Sequence, residues 1–428
     1  MMKPRQPQLN SSQTSSHSSS RGHLFYGWVV VASCLIFSLV LFGIRYSFGV
    51  FFKPLEVEFG WSRAMVSSVF AVYMVLGTLF AMVGGWALDR YGPKLVVIIM
   101  GTVTGTSLLL TSHVSYMWQL YLTYSFLLAL GTGATYTVVM STGSQWFFRK
   151  RATALAIIGT GAGLGTLIMV PVAAQLISTY DWRTSFLALA ILAWALVIPV
   201  SLIIKKGPGE GGDMLYSSPM QSGVNNNTKS RSESRDFSLA EAVKTRSYWL
   251  IFSTWFAYSF CVHLVMTHVV PRVQDIGIPP VQAATILSVV GIMLIPSRVL
   301  VGVVSDRIGR KGPGIVCALL QAVALLWLIG CTNMWMFYLF AIVYGIGYGG
   351  IDPPIVAMVG DLFGVRRLGT IMGSLVVGWG LGAALGPYIT GLVFDLSNNY
   401  SMAFLLGALL MIMSAVFIYW IEAPMGRP

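Results

Sequence analysis

Charge is what this 428-residue sequence lacks most: Asp, Glu, Lys and Arg make up 10% of it, against about 25% in a soluble domain. Acids are scarcest, 15 against 27 basic residues. With 56% hydrophobic residues and a mean hydropathy of +0.74, so little charge excludes a water-facing surface. A soluble enzyme and a disordered regulator go with it. Cysteine is scarce too. Cys34, Cys261, Cys317 and Cys331 all fall inside apolar runs, which excludes a disulfide framework and zinc-ligand spacing. Also missing are a nucleophile–base constellation, a metal-ligand cluster and a phosphate-cradling loop. The chain is expected to be neither an enzyme nor an ATP-driven pump, and to need no metal or cofactor.

What the sequence has instead is long apolar runs. A helix needs roughly 20 apolar residues to cross the hydrocarbon core. Such runs lie near 28–52, 64–88, 94–112, 117–141, 153–177, 184–204, 247–270, 281–304, 314–332, 335–359, 369–394 and 402–421. They do not alternate, so helices are expected and a β-barrel is not. Residues 1–23 are Ser-rich and polar and read as a disordered tail. The first apolar run is full length, so no cleavable signal is expected. Residues 205–246 contain GPGEGGD and NNNTKSRSESR, the composition of a linker. The expected fold is an all-α membrane protein of twelve transmembrane helices. Its two six-helix halves are 24–204 and 247–422, followed by a tail at 423–428.

The net charge of +12 suggests a nucleic-acid partner until its distribution is read. Of the 27 basic residues, 21 fall on the segments that share a side with residues 1–23, among them Arg90, Lys94, Arg149–Arg151, Lys205, Lys206, Arg307, Arg310 and Lys311. Lys53, Arg63, Arg183 and Arg272 fall on the other side. Basic residues concentrate on cytoplasmic loops. Both termini are therefore expected in the cytoplasm of a cell-membrane protein (the inner membrane in a bacterium), and no nucleic acid is expected. The partner is the lipid bilayer.

An internal repeat divides the chain. After the second run comes Gly85-Trp-Ala-Leu-Asp89-Arg90-Tyr-Gly92-Pro-Lys94, and after the eighth comes Gly302-Val-Val-Ser-Asp306-Arg307-Ile-Gly309-Arg310-Lys311, 217 residues later. Arg149-Lys150-Arg151 before the fifth run is echoed by Arg366-Arg367 before the eleventh. Two halves in the same orientation are parallel repeats. The Gly of the motif lets a neighbouring helix approach, the Asp accepts hydrogen bonds from helix N-terminal amides, and the basic residues meet headgroups and acids. The simpler alternative is a solvated, positive loop.

This doubled motif on twelve spans resembles the major facilitator superfamily over residues 24–422. The resemblance implies that Gly85, Asp89, Arg90, Gly302, Asp306 and Arg307 form a cytoplasmic latch that breaks when the protein opens inward. Further segments narrow the likeness: Tyr26-Gly27-Trp28, Phe48-Gly49-Val50-Phe51-Phe52-Lys53, Trp146-Phe147-Phe148-Arg149-Lys150-Arg151 and Asp361-Leu362-Phe363-Gly364. Together these look like the monocarboxylate transporter family and the related oxalate–formate antiporters. The glycines at 159, 161, 163 and 165 superficially suit a dinucleotide fingerprint. That fingerprint requires a preceding strand, so these glycines, with Gly345 and Gly349, are read as close helix packing.

Three ionisable residues lie inside apolar runs: Arg45, Arg298 and Asp352. Each costs about 2.5–3.5 kcal/mol to insert at the bilayer centre, which makes it a functional candidate. Arg298 is eight residues before Asp306 and Asp352 nine before Asp361. At 1.5 Å per residue both sit about 12–14 Å above their loops, at one depth. Arg298 offers a planar fork to a carboxylate, and the resemblance puts a substrate-binding arginine at its place. The alternative is a structural ion pair with Asp352. Asp352 is the candidate proton-coupling group. Tyr344, Tyr348 and Asp352 recur at four-residue steps and are expected on one cavity-facing side. Tyr136 has a similar depth and matches a tyrosine in the resembled carriers.

The family pattern then breaks. The acid one turn before the arginine is replaced by Leu294, and a lysine of the first span by Tyr46, with Arg45 beside it. Where the oxalate–formate branch has a second cation, Trp379 stands. One buried cation suits a monocarboxylate better than a dianion. Arg45 either faces substrate or snorkels to the interface. His263 either takes up a proton or is a structural, hydrogen-bonded histidine. The resulting expectation is a secondary transporter of a small organic acid anion, a monocarboxylate, coupled to a proton by alternating access. The competing expectations are a carrier of a neutral or cationic compound and a non-transporting receptor on the same scaffold.

Overall fold

In hydrocarbon every backbone amide needs an internal partner, which leaves helices as the fold of long apolar runs. The computed structural model describes residues 26–146, 151–205, 237–364 and 368–422, and no strand occurs among them. Twelve helices are long and apolar enough to cross a membrane: α1 (Tyr26–Phe59), α2 (Arg63–Leu88), α3 (Arg90–Thr111), α4 (Met117–Trp146), α5 (Ala154–Thr179), α6 (Trp182–Ile203), α7 (Arg246–Asp275), α8 (Pro280–Ile308), α9 (Lys311–Ile329), α10 (Met334–Phe363), α11 (Thr370–Ser397) and α12 (Ser401–Trp420). The tails at 1–23 and 423–428, most of the 205–246 segment, the Arg149-Lys150 and Arg366-Arg367 pairs and the Asp89 side chain lie outside the described residues. The end of that segment, from Phe237, carries a short helix Leu239–Ala242 closed by a Ser238–Glu241 capping box.

Local signals set where the helices begin and turn. Ser62, Asp181 and Thr245 cap α2, α6 and α7 by accepting from Met65 N, Thr184 N and Tyr248 N, satisfying amides that have no partner inside the helix. The second glycine of each repeated motif, Gly92 and Gly309, has φ of 79° and 96°. Residues with a Cβ rarely adopt that backbone; Gly92 makes the kink at the start of α3 and Gly309 the turn between α8 and α9. Helix α1 is interrupted at Ser47, whose hydroxyl donates to Gly43 O at 2.8 Å.

Two hydrophobic cores result. One gathers Phe37, Phe51, Tyr73, Tyr124 and Phe186 from the first six helices; the other gathers Phe260, Leu287, Phe337, Tyr344 and Tyr400 from the last six. The halves meet along α1 with α7, α2 with α11 and α5 with α8. Glycine makes the last contact possible. A Cβ on Gly163 would stand 2.8 Å from Gly291 O, and one on Gly291 would stand 2.6 Å from Gly163 O. Gly161 and Gly165 press likewise on Ser38 and Leu39 O of α1, and Gly345 and Gly349 on Val290 O and Leu294 O of α8. All six are packing sites.

Candidate functional site: a central cavity between the halves

A cavity of about 250 Å³ lies between the halves, walled by α1, α2, α4 and α5 on one side and α7, α8, α10 and α11 on the other. Most of its wall is apolar or aromatic, as in ligand pockets generally. Its charged elements are Arg45, Arg298 and Asp352. The matched depth of Arg298 and Asp352 has a direct consequence: Arg298 Nη2 donates to Asp352 Oδ2 at 2.6 Å. Their side chains keep 28% and 24% exposure, so the pair forms part of the cavity wall and does not sit sealed in a core.

Phenols surround this pair. Tyr348 precedes Asp352 by one turn and lines the cavity with it. Its hydroxyl lies 3.3 Å from that of Tyr46 on α1, and its carbonyl accepts from Tyr258 Oη at 3.3 Å. Tyr136 reaches in from α4 and feels the charge of both Asp352 and Arg298. Trp379 of α11 lines the same space.

Two expected site residues stand elsewhere. Tyr344 is fully buried in the core of the second half. Successive four-residue steps drift by about 40° each, because eight residues at 3.6 per turn exceed two full turns; Tyr344 has rotated off the face that presents Asp352. His263 is also fully buried. It lies behind the wall, edge-on to Trp379 at 5.0 Å, with Nδ1 2.9 Å from Ser259 O.

Arg45 does not snorkel. It is 8% exposed and borders the cavity, so the expectation of a single buried cation is corrected to two. Tyr46, Tyr73, Trp255 and Tyr258 are lining residues that sequence reasoning did not assign to the site. A faint signal exists for two of them: Trp255, Tyr258 and Val262 recur at helical spacing on one side of α7.

The repeated motif is used unevenly. At the Gly85 position an added Cβ would meet Thr137 at an ordinary 3.5 Å, whereas at Gly84 it would stand 2.1 Å from Ala134 Cβ. The tight approach to α4 is therefore one residue earlier than expected. Gly302 faces Pro353 at 3.8 Å, likewise without crowding. In the second copy Asp306 pairs with Arg310, whose Nε also lies 3.3 Å from Asp361 Oδ2; Arg310 takes the part expected of Arg307. Its guanidinium is held above its ordinary pKa, first by its bond to Asp306. Arg90 lies 5.7 Å from the rings of Trp86 and Tyr91.

The far ends of the helices, away from these basic loops, are tied together across the halves. Arg63 at the start of α2 grips Asp275 of α7 bidentately, at 2.7 and 2.9 Å. It also donates to Glu56 at 2.9 Å and to Tyr400 at 2.5 Å, and lies 3.7 Å over the Phe394 ring. Lys53 pairs with Asp275 at 2.5 Å. Asp395 accepts from the first amides of α2, Arg63 N at 2.9 Å and Ala64 N at 2.7 Å. Among the described residues every ion pair across the halves is at this end. The cavity wall instead continues toward the basic loops, through Ala81, Val356 and Met372.

Known proteins agree with this architecture. The family model of the Major Facilitator Superfamily matches residues 34–329 and 271–427. The chain is 26% identical to monocarboxylate transporter 13 of Rattus norvegicus over 413 residues, 92% of this chain and 88% of that protein. It is 23% identical to the oxalate:formate antiporter of Oxalobacter formigenes over 432 residues, 98% and 96% of the two chains. Its fold matches a bacterial homologue of the human lysosomal transporter Spinster, in an inward-facing and occupied conformation. That match has a TM-score of 0.72 at 15% identity and covers 94% of this chain and 97% of that one. With twelve spanning helices in two halves about a central cavity, and a family model covering nearly its whole length, the chain is a multi-pass membrane protein that belongs to the Major Facilitator Superfamily of transporters.

Proposed function

We propose that this protein is a secondary transporter of a small organic acid anion, coupled to a proton and working by alternating access of its two halves in a cell membrane, with both termini cytoplasmic. The observation that carries the reading is the Arg298–Asp352 pair, 2.6 Å apart in the wall of the cavity. A guanidinium keeps its charge at any physiological pH and matches a carboxylate in two points. An incoming carboxylate competes with Asp352 for that fork. Asp352, once displaced, has lost its cation partner, and in this reading it is the group that carries the coupled proton. Anion and proton therefore reinforce each other's binding. The named relatives, a monocarboxylate transporter and an oxalate:formate antiporter, support a carboxylate as cargo. In this reading the ties at Lys53, Arg63 and Asp275 close the outer end while the cavity faces the cytoplasm.

The test is Arg298→Lys in proteoliposomes with a panel of radiolabelled carboxylates. An ammonium keeps the charge and loses the planar fork. Losing one charge-assisted hydrogen bond of that fork costs about 1.5–3 kcal/mol, so uptake is expected to fall by about tenfold to a hundredfold in protein that elutes as wild type does. Full carboxylate uptake by folded Arg298→Lys would overturn the assignment. Uptake that ignores carboxylates and follows a neutral or cationic solute would favour the competing carrier.

A further inference from the structure

We infer that Arg45 forms a second carboxylate subsite, so that the substrate coupled to a proton is a dicarboxylate. The inference rests on the roles of Arg298 and Asp352 proposed above and adds a second pole to the same cavity.

Arg45 is anchored from behind. Its Nε donates to Tyr73 Oη at 3.0 Å. Thr132 Oγ1 gives its one proton to Leu128 O at 2.8 Å, so the 2.7 Å contact between Tyr73 Oη and Thr132 Oγ1 must use the proton of Tyr73. Tyr73 is left accepting from Arg45, and the chain has one direction. The guanidinium is flanked by the rings of Phe42 at 5.1 Å and Tyr73 at 5.7 Å. Its inner nitrogen is thus occupied, while Nη1 and Nη2 make no hydrogen bond to any described residue. No carboxylate pairs with it among those residues; the acid that lines the cavity, Asp352, is taken by Arg298. An arginine 8% exposed, held by one guanidinium nitrogen, bordering a cavity and lacking a counter-charge among the described residues, is a preorganised anion site.

Charge balance then links substrate valence to the proton. The cavity wall carries two guanidiniums and one carboxylate, a net charge of one positive unit. A monocarboxylate on Arg45 neutralises it and leaves Arg298 with Asp352. A dicarboxylate places its second carboxylate on Arg298 and displaces Asp352. The groups facing Asp352 are then Tyr258 of α7, Tyr136 of α4 and Tyr348 of α10, which are phenols and supply no positive charge. Asp352 takes up one proton from bulk solvent, and two cations face two anions. A monoanion binds without a proton and a dianion with one.

Isothermal titration of the full-length protein in detergent tests this. The probes are straight-chain monocarboxylates and α,ω-dicarboxylates of three to six carbons, each run in two buffers of different ionisation enthalpy. The best-fitting dicarboxylate should bind at least about tenfold tighter than the monocarboxylate of equal length, with uptake of about one proton; the monocarboxylate should take up none. Arg45→Gln should erase the preference, and Arg45→Lys should keep part of it. Absence of both preference and proton uptake in the wild type would overturn the inference without recourse to any variant. So would a preference untouched in Arg45→Gln. Monocarboxylate binding that depends on Arg298 and ignores Arg45 would sink this inference and leave the carrier reading standing. Binding of neither class would sink both.

Discussion

At the residue scale, the proposed coupling turns on how one acid is held. Asp352 accepts a hydrogen bond from Arg298 at 2.6 Å and is followed by Pro353 and Pro354 within α10. Asp352→Asn keeps the size of the side chain and mimics its protonated state. The variant is expected to bind substrate and exchange it across proteoliposomes, yet to lose accumulation driven by a pH gradient, because no proton leaves with the second half of the cycle. Accumulation at the wild-type level in Asp352→Asn would place the proton on another group. Tyr344 offers a contrast two turns earlier. It packs in the core, so Tyr344→Phe should leave transport within about twofold of wild type, removing a hydroxyl with no described partner at little cost. Tyr348→Phe, which removes a hydroxyl bordering the cavity, should alter substrate affinity.

At the element scale, helices must approach and part. Between α5 and α8 the approach depends on Gly163 and Gly291, where an added Cβ would strike backbone oxygen. Backbone cannot rotate away as a side chain does, so Gly291→Val should cost about 1–3 kcal/mol or more. The measurement is the thermal unfolding midpoint in detergent, with Gly312→Ala as the control, since a Cβ there meets nothing within 4 Å. An equal midpoint for both would contradict the packing account. The far end of α2 holds by charge instead. Arg63 carries bonds to Glu56, Asp275 and Tyr400 at once. Arg63→Gln removes the charge that joins the halves there. In a background lacking the four native cysteines, a cysteine at Ser67, which is fully buried beneath this cluster, should become reactive to an impermeant thiol reagent added outside cells. It should stay protected when Arg63 is present. Equal labelling with and without Arg63 would mean that other contacts close this end.

At the scale of the whole molecule, orientation is an electrostatic matter. With 21 of 27 basic residues on one side of the twelve spans, cysteines placed at Ser16 and Ser234 in the same cysteine-free background should resist the impermeant reagent in intact cells. Labelling of both would reverse the proposed topology. Much of this molecule was legible in the sequence for simple reasons. Hydrophobic length alone dictates that a run such as 281–304 becomes a helix, here Pro280–Ile308, because hydrocarbon gives an unpaired amide no alternative. The period of the chain exposed the repeat, and the rise per residue placed Arg298 and Asp352 at one depth before any contact was known. Tertiary structure decided the rest. Depth does not specify direction around a helix axis over more than a turn, so Tyr344 was expected at a cavity from which it is turned away, and His263 was left open between a proton carrier and the buried, hydrogen-bonded residue it is. Nor does a one-dimensional count of buried cations say which of them has a partner. Arg45 was ambiguous because its environment is made by Tyr73 and Thr132, 28 and 87 positions away in the chain, and by the absence of an acid beside it. The Arg63 cluster was hidden for the same reason. Arg63, Asp275, Asp395 and Tyr400 are ordinary loop-end residues until folding sets the two halves side by side.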